Sequence, residues 1–263
     1  MLLTIQIVNY NSREYLFSCL DSLRENISPK IKTQIVVVNN DRESLGEKLK
    51  NFDVELLERG ENIGFGKAHN LGAKIARGEY LFLLNPDTKV FPGTIRSLLD
   101  LFSADAKIGI ATPLLLGESG LPEEEHFGPK KTPLSTIFSK LSSKRERYFQ
   151  KEPFEADWVS GAAMMIRKDL FNRLGGFDER YFMYFEDVDL CTRARKKEWK
   201  VMVDPRAKVF HKSGQSFSDN RTKKKYYYRS QEYYIRKNFG SFWLWVVKVL
   251  RFPFYFWNVY CSR

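Results

Sequence analysis

Short apolar runs that alternate with segments of helical spacing constrain the fold of the first 112 residues more than any other feature of the sequence. The run TQIVVVN is too continuous to be half exposed, which is typical of a parallel strand buried on both faces. Strands that alternate with helices in this way predict a doubly wound, mostly parallel α/β sheet. A length of 263 residues fits one large unit of this class. The predicted strands are residues 3–9, 33–39, 54–58, 79–85 and 107–112.

Changes in composition divide the chain into four segments, residues 1–112, 113–152, 153–218 and 219–263. The second is rich in Gly, Pro, Ser and charge, which predicts a mobile loop or lid with a short basic helix around 134–149. In the third we expect a strand, a short helix capped by glycines, a helix at 186–198, and two strand-like segments, KVMVDP and AKVFHKSG. The fourth is basic and aromatic.

The positive charge is concentrated in two places. The formal net charge is +11, from 43 basic and 32 acidic residues. Residues 129–151 and 220–237 each carry seven Lys or Arg against one acid, so the remainder is nearly neutral. Two basic patches on such a globule predict anionic partners at local sites. The three cysteines are too few and too scattered for a disulfide framework, which favours a reducing compartment.

The most hydrophobic part of the chain is residues 241–260. Lys248, Arg251 and Pro253 interrupt it, and Trp and Tyr are abundant, which is typical of a helix that lies in a bilayer interface and does not cross it. The basic residues 220–237 immediately before it would attract anionic lipid. A C-terminal helix that packs against the core is the alternative. Neither a signal peptide nor a membrane span is expected.

Polar residues follow three of the predicted strands, at the edge where an open α/β sheet binds its ligands. They are Asn9–Asn11, Asn39–Asp41 and Asn85–Asp87. A carboxylate placed like Asp87 can bind Mg²⁺ or Mn²⁺ on a diphosphate, although an ordinary Asn-Pro-Asp turn has the same sequence. His211 ends a later strand and is a second metal ligand if it lies near Asp87, whereas a lone histidine is more often a surface or packing residue.

Glu186 and Asp187 begin a predicted helix directly after the aromatic segment YFMYF. Acidic residues favour helix N-termini, and this preference alone would explain them. A carboxylate held against aromatic walls would instead have a raised pKa, which suits a general base.

The glycine turn at residues 62–66 opens a predicted helix. It lacks the spacing of G-x-G-x-x-G and of the P-loop, which argues against dinucleotide binding and Walker-type ATP hydrolysis. Its backbone N–H groups could still contact an anion.

The order of these motifs resembles that of a known family. Five segments are similar, in sequence order, to the family 2 inverting nucleotide-sugar glycosyltransferases of GT-A fold: VNYNS, VVVNND, NIGFGKAHNLGAKIARGEYLFLLNPDT, WVSGAAMMIRKDLFNRLGGFDERYFMYFEDVDLCTRARKKEWKV and VFHKSG. The likeness is especially close to the bacterial rhamnosyltransferase-like branch and covers residues 3–214. It implies a GT-A, Rossmann-like fold, with a nucleotide-sugar half in residues 1–112 and an acceptor and catalytic half in residues 153–218.

The resemblance also implies a role for each matching residue. The residues that would bind the nucleotide sugar are Tyr10, Asn11, Asn39, Asn40, Asp41, Gly64, Lys67, Asn70 and Asn85. Trp158 and Gly161 would contact the donor sugar and the acceptor. Asp87 and His211 would be the metal ligands. Asp187 would be the catalytic base, with Glu186 as the alternative.

Two positions depart from the family pattern. Asn85 stands in place of the first acid of the Asp-x-Asp metal motif, which leaves one less charge on the ion. Asn39 stands where the family usually has aspartate at the end of the second strand. An asparagine there can hydrogen-bond a ribose hydroxyl or a base amide but supplies no charge.

The resemblance implies an enzyme that moves a sugar from a nucleotide diphosphate to a saccharide hydroxyl with inversion. Mg²⁺ or Mn²⁺ would stabilise the leaving group, and Asp187 would take the proton of the acceptor. The basic and aromatic C-terminal segment adds an expected membrane partner. We therefore expect a polyprenyl-linked acceptor of polysaccharide assembly and a cytoplasmic protein bound peripherally to the inner face of the cell membrane.

Two other functions stay open on the residues alone. A nucleotidyltransferase shares the α/β nucleotide-binding pattern, but it usually carries a Gly-rich, basic loop where this chain has Asn-Tyr-Asn-Ser. A nonenzymatic module could bind single-stranded nucleic acid through the Tyr and Lys residues of 223–234. That module would leave the acids at 186–189 unexplained, so no nucleic-acid partner is expected.

Overall fold

The computed structural model describes residues 2–124, 126–137, 150–213 and 220–256. The strands are β1 (Leu2–Asn9), β2 (Lys32–Asn39), β3 (Glu55–Glu58), β4 (Tyr80–Leu84), β5 (Thr88–Val90), β6 (Ile108–Leu116), β7 (Phe127–Gly128), β8 (Phe154–Glu155), β9 (Trp158–Val159), β10 (Ala163–Arg167) and β11 (Lys200–His211). The helices are α1 (Arg13–Asn26), α2 (Gly46–Leu49), α3 (Phe65–Ile75), α4 (Thr94–Ala104), α5 (Pro133–Ile137), α6 (Lys168–Arg173), α7 (Glu186–Arg195), α8 (Asn220–Phe239) and α9 (Ser241–Phe256).

A nine-stranded sheet forms the centre of the described part of the molecule. Its order is β3-β2-β1-β4-β10-β6-β11-β5, and β8 also pairs with β11. The first four strands in this order are parallel, as are β6 and β11. β10 lies antiparallel between β4 and β6 and joins two parallel blocks that run in the same direction. The predicted α/β class and mostly parallel sheet are therefore confirmed.

Alternate side chains of the sheet enter cores on its two faces. In β4, Phe82 and Leu84 face the core that contains α1 and α4. Leu81 and Leu83 face the core that contains α6, α7 and parts of α8 and α9. All four are fully buried, which explains why the strand is a continuous apolar run with no polar alternation.

The two strand-like segments predicted after residue 199 form one strand, β11. Pro205 lies inside it, and proline removes a ladder hydrogen bond, so the sequence pattern breaks there. The register with β6 shifts between Asp204 and Lys208, and this irregularity accommodates the proline. The strand then continues to His211, which pairs with Thr88 of β5 next to Asp87.

The predicted boundary at residue 112 falls inside β6, which continues to Leu116. Further along, β7 pairs with β9, and α5 is a short helix. The rest of the predicted basic helix, residues 138–149, lies outside the described residues. The lid function of residues 113–152 stays a prediction.

Helix α9 has two different faces. Val247 is fully buried, and Trp243 and Leu244 pack partly buried against the core, as the core-packing alternative predicts. The opposite surface exposes an apolar stripe, defined here as Phe242, Trp245, Val249 and Phe252. Their spacing of three and four residues places them on one face of the helix. Across the described ranges, each helix is too short or too polar to traverse a bilayer.

Candidate active site

Two adjoining clefts lie at the carboxyl ends of the parallel strands. The central cleft, of about 580 Å³, is lined by the segment after β4, the end of β11 and the beginnings of α7 and α8. The side cleft, of about 670 Å³, is lined by the segments that follow β1 and β2. Tyr10, Asn40 and Asn62 line both clefts, so the two form one continuous depression.

The register of β1 and β2 brings their polar ends together, because Asn9 lies opposite Asn39. Nδ2 of Asn9 donates to Oδ1 of Asn39 at 2.9 Å and to Oδ2 of Asp41 at 3.0 Å. The backbone N–H of Asn11 donates to the same Asp41 oxygen at 2.9 Å. The Asp41 carboxylate therefore holds the loop after β1, where Tyr10 and Asn11 line the side cleft.

Asn39 and Asn40 have different surroundings although they are adjacent. Asn39 is fully buried, and its Nδ2 donates to the carbonyl of Glu43 at 2.8 Å and to Glu58 Oε2 at 2.6 Å. These bonds are internal and Asn39 lines neither cleft, so its role in binding the nucleotide sugar stays a prediction. Asn40 lines both clefts, and its buried Oδ1 has no hydrogen-bond partner within the described chain. An unpaired buried acceptor costs about 1–3 kcal/mol, so this oxygen marks a position for a ligand donor.

The glycine turn before α3 packs against the aromatic segment that precedes α7. Gly64 has a φ of 89°, and a Cβ there would lie 2.7 Å from the carbonyl oxygen of Phe182. Gly64 lines the central cleft, but two other predicted residues of this motif do not. Lys67 is exposed on α3, and the amide of Asn70 bonds the backbone N and O of Phe177 at 2.8 and 2.9 Å. Asn70 therefore fixes the loop before α7, and the binding roles of Lys67 and Asn70 stay predictions.

Asp87 and His211 meet at the edge of the sheet, where β5 pairs with the end of β11. Nε2 of His211 lies 3.4 Å from Oδ1 of Asp87 and 3.4 Å from Nδ2 of Asn85. On the other side of the ring, Nδ1 lies 2.9 Å from Oε2 of Glu123. Oε1 of Glu123 accepts a hydrogen bond from the Ser213 hydroxyl at 2.7 Å. Sequence reasoning did not identify Glu123.

The chemistry of this pair fits the predicted divalent cation. Burial alone would lower the pKa of His211, but hydrogen bonds with Asp87 and Glu123 raise this pKa to about 9. Throughout the described ranges, three or more His, Cys, Asp or Glu side chains do not converge on a common metal position. Mg²⁺ and Mn²⁺ at phosphate sites need only one or two protein ligands, since substrate phosphates and water complete the shell. Asp87 and deprotonated His211 would supply such a set.

Two residues of left-handed backbone precede α7. Tyr184 and Phe185 have φ values of 68° and 66°, which is unfavourable for aromatic residues by roughly 1 kcal/mol or more each. The sharp turn places Glu186 and Asp187, the first two residues of α7, on the central cleft. Strain of this kind is concentrated at functional sites.

Asp187 and Glu186 differ in their contacts. Oδ2 of Asp187 accepts the N–H of Gly161 at 3.0 Å, whereas the buried Oε2 of Glu186 has no partner in the described residues. Burial raises the pKa of Asp187, against the opposing effects of the Gly161 N–H and the charge of Lys131. Burial, and then the charge of Asp187, raises the pKa of Glu186 well above its ordinary value. The Gly161 N–H therefore favours a negative charge on Asp187, and Glu186 has no such donor in the described residues.

The third acid of α7, Asp189, is buried in an ion-pair network. Its carboxylate accepts hydrogen bonds from Arg193 at 2.7 Å and from Lys237 at 2.6 Å. Lys237 also bonds Asp178 at 2.8 Å, so it anchors α8 to α7 and to the loop before it. Burial alone would raise the pKa of Asp178, but the partners Arg180 and Lys237 hold this pKa well below its usual range.

Lysine and aromatic side chains from outside the sheet also line the central cleft. Lys223 and Lys224 come from the beginning of α8, and Lys131 comes from the segment before α5. Nζ of Lys131 lies 4.7 Å from the ring centroid of Trp158, which lines the same cleft. The sequence analysis placed these lysines in basic patches, but no local signal showed that α8 returns to the cleft.

Comparison with known proteins identifies the family of this site. The sequence profile of glycosyl transferase family 2 matches residues 4–175. The chain belongs to this family. It is 31% identical over 191 residues to N-acetylglucosaminyl-diphospho-decaprenol L-rhamnosyltransferase of Mycobacterium tuberculosis, covering 62% of the chain and 60% of that protein. The chain therefore spans less than two thirds of the length of this relative.

A second relative is aligned over most of both proteins. The chain is 25% identical over 233 residues to rhamnosyltransferase WbbL of Escherichia coli, covering 83% of the chain and 85% of that protein. Rhamnosyltransferases thus stand among the similar family 2 proteins, and the predicted rhamnosyltransferase-like resemblance is confirmed.

Solved structures show the same fold. A crystal structure of GalNAc-T7 with UDP, GalNAc and Mn²⁺ has a TM-score of 0.68 at 19% identity, covering 88% of this chain and 48% of that chain. The mannosyltransferase PcManGT from Pyrobaculum calidifontis, in complex with GDP-Man and Mn²⁺, has a TM-score of 0.62 at 15% identity, covering 98% and 71%. The predicted GT-A architecture is confirmed.

Proposed function

We propose that the chain is an inverting glycosyltransferase, which moves a sugar from a nucleotide diphosphate to a hydroxyl of a saccharide acceptor. The observation that carries this proposal is that one continuous depression contains Asn40, the Asp87–His211 pair and Asp187. Asn40 offers a hydrogen-bond acceptor to the nucleotide, Asp87 and His211 are candidate metal ligands, and Asp187 is the candidate general base. Membership of family 2 and the rhamnosyltransferases among its relatives support the proposal.

The side cleft would bind the nucleoside of the donor. Tyr10 offers an aromatic surface, Asn40 offers an unpaired amide oxygen, and Asp41 offers a carboxylate for ribose hydroxyls. The diphosphate and the sugar would then extend into the central cleft, past Gly64 and Asn85.

The central cleft would carry out the chemistry. Mg²⁺ or Mn²⁺, held by Asp87 and His211, would neutralise charge on the departing diphosphate. Asp187 would accept the proton of the acceptor hydroxyl while that oxygen attacks the anomeric carbon and the bond to the diphosphate breaks. One displacement of this kind inverts the configuration of the sugar. The Gly161 N–H holds the Asp187 carboxylate in place, and Trp158 provides an apolar wall beside it.

The acceptor in this proposal is linked to a lipid, and the protein is peripherally bound to the inner face of the cell membrane. The apolar stripe on α9 exposes between 51% and 69% of each of its side chains. It continues from the basic helix α8, and basic residues beside an apolar surface bind anionic bilayers. The name of the mycobacterial relative specifies a polyprenyl diphosphate acceptor for that enzyme.

Donor hydrolysis tests the enzymatic proposal. The purified chain is incubated with UDP-, GDP- and dTDP-sugars and Mn²⁺ or Mg²⁺, and release of the nucleoside diphosphate is measured. We expect metal-dependent release from one donor, loss of release in Asp87→Ala, and no change in Asp53→Asn, an exposed carboxylate that lines neither cleft. NMR of the glycosylated product then gives the anomeric configuration.

A negative result has its own reading. If no donor is turned over and no nucleotide with metal raises the melting temperature, the enzymatic proposal is wrong. Salt-dependent binding of RNA in the same preparation would favour the nonenzymatic module.

A further inference from the structure

Two lysine side chains of the central cleft, Lys223 and Lys224, have no role in the donor chemistry proposed above. The sheet edge contributes Asp87 and His211, and α7 contributes Glu186 and Asp187. Lys223 and Lys224 reach the same cleft from a different element, helix α8. The cleft therefore has a cationic region from α8 that is separate in the chain from its candidate metal residues.

Helix α8 is firmly attached beside α7, which fixes where its lysines lie. The Ser230 hydroxyl donates to the carbonyl of Met183 at 2.7 Å. One turn earlier, the ring of Tyr227 packs against Phe185, with centroids 5.3 Å apart. The beginning of α8 is thus held against the turn that presents Asp187, and Lys223 and Lys224 lie one turn before Tyr227 on the cleft.

The charge of these lysines suits a second phosphate group. A donor diphosphate would be neutralised by the cation at Asp87 and His211. If the acceptor substrate also carries a diphosphate, that group needs positive charges of its own near Asp187. Lysine ammonium groups bind phosphate as flexible point charges. The two ammonium groups of Lys223 and Lys224 meet this need.

The cleft also approaches helix α9, which carries the apolar stripe. Tyr228 lines the cleft, and the guanidinium of Arg251 lies 4.4 Å from the centroid of its ring. The next residue of α9, Phe252, is 63% exposed and belongs to the stripe. A ligand with a sugar near Asp187 and a phosphate group at α8 would place an attached chain close to this apolar surface.

We propose that Lys223 and Lys224 bind the diphosphate of an amphiphilic acceptor, in which a sugar is joined through diphosphate to an isoprenoid chain. This inference rests on the proposed function and adds to it a binding site on α8 for the acceptor. The donor diphosphate would be bound elsewhere, where Asp87 and His211 would hold a cation.

Binding of farnesyl diphosphate tests this site without requiring turnover. Calorimetry is performed in EDTA, below the concentration at which the ligand aggregates, so that no cation bridges the diphosphate to Asp87. We expect the wild-type chain to bind, and Lys223→Gln and Lys224→Gln each to weaken binding roughly tenfold. Lys225→Gln is the matched control, since Lys225 is exposed on the same helix and does not line the cleft. Arginine at 223 or 224 should restore binding.

Other ligands distinguish the sources of phosphate. Farnesol should bind more weakly than farnesyl diphosphate, and Asp87→Ala should bind farnesyl diphosphate normally. The inference is overturned if the wild-type chain does not bind farnesyl diphosphate or if the two glutamine variants bind it unchanged. It is also overturned if these variants lose affinity only for a nucleoside diphosphate with Mn²⁺, or only for anionic vesicles.

The donor and acceptor tests fail independently. Normal farnesyl diphosphate binding without turnover of any nucleotide sugar would reject the glycosyltransferase and leave a diphosphate site. Turnover with unaltered binding in both lysine variants would reject the α8 site alone.

Discussion

Nδ1 of His211 lies 2.9 Å from Oε2 of Glu123, and this contact leaves Nε2 facing Asp87. A carboxylate that holds one nitrogen of a metal-binding histidine fixes the orientation of the ring and increases its basicity. Glu123 comes from the loop after β6, 88 residues before the histidine in the chain. Two segments that are distant in the chain therefore fix the orientation of the His211 imidazole together.

Glu123→Gln should weaken Mn²⁺ binding about 10- to 100-fold, because the substitution removes the charge that orients His211. Mn²⁺ affinity is measured by electron paramagnetic resonance in the presence of a nucleoside diphosphate. The control is Glu118→Gln, an exposed glutamate of the same loop. Equal Mn²⁺ affinity in Glu123→Gln and the wild type would show that this contact does not support a metal site.

Asp187→Asn should lower kcat about 10²- to 10⁴-fold if Asp187 is the general base. Because burial raises the pKa of Asp187 above its ordinary value of 3.8, activity should be lost, as pH falls, at a higher pH than an exposed aspartate would give. The charge of Lys131 opposes this rise, so Lys131→Gln should move the acid limb to still higher pH. Its neighbour Lys130 is exposed, and Lys130→Gln should leave the limb in place.

Lys237→Gln should reduce the free energy of unfolding by about 2 kcal/mol, since it removes a charged hydrogen bond from a buried carboxylate. Asp189 is 1% exposed and would keep only Arg193 as a charged partner. Urea denaturation measures the change, with Lys225→Gln as the control. An unchanged unfolding free energy would mean that the network does not anchor α8.

Low pH should weaken the ion-pair network of Asp178, Asp189 and Lys237. The pKa of Asp178 is depressed in the folded chain, so its ion pairs stabilise the fold above its unfolded pKa of about 3.9 and lose this effect as pH falls below it. The melting temperature of the wild type should therefore fall more steeply below about pH 4 than that of Asp178→Asn. Parallel curves for the two proteins would contradict this assignment, and Asp53→Asn should follow the wild type.

Trp245→Ser with Phe252→Ser should abolish most binding to anionic vesicles, because each exposed side chain contributes about 1.5–3 kcal/mol when it enters an apolar phase. Flotation of the protein with vesicles measures the loss. Leu121→Ser removes an equally exposed apolar side chain, 63% exposed, away from α9, and should have no effect. Release of a dimer into monomers by the double variant, without any vesicle binding in the wild type, would assign the stripe to a second copy.

The sheet and its polar edge could be predicted because they follow from local patterns. Continuous apolar runs indicate strands buried on both faces, and parallel strands bring their carboxyl ends to one edge. Asn40 and Asp87 accordingly line the central cleft, and Asp41 lines the side cleft next to it. The apolar run of β10 predicted a buried strand, but nothing in such a run specifies its antiparallel direction.

The contacts at the site that the sequence could not show depend on differences between adjacent residues and on partners that are distant in the chain. Asn39 is the last residue of β2 and bonds internal partners, whereas Asn40 follows the end of the strand and reaches the clefts. Asn70 bonds a backbone segment 107 residues away, and spacing along α3 carries no information about that partner. Glu123 lies in a segment without hydrophobic periodicity, where no pattern predicts which carboxylate turns inward.

The insertion of β10 has a consequence for how the chain becomes folded. Until residues 163–167 have been synthesised, β4 and β6 each present an unpaired edge lined by apolar side chains. The early strands can assemble among themselves, but they are joined to the later ones only through a segment far along the chain. A fragment that ends near residue 112 should therefore self-associate through its open edge. We therefore expect the parts that would hold the donor and the base to fold together as one unit.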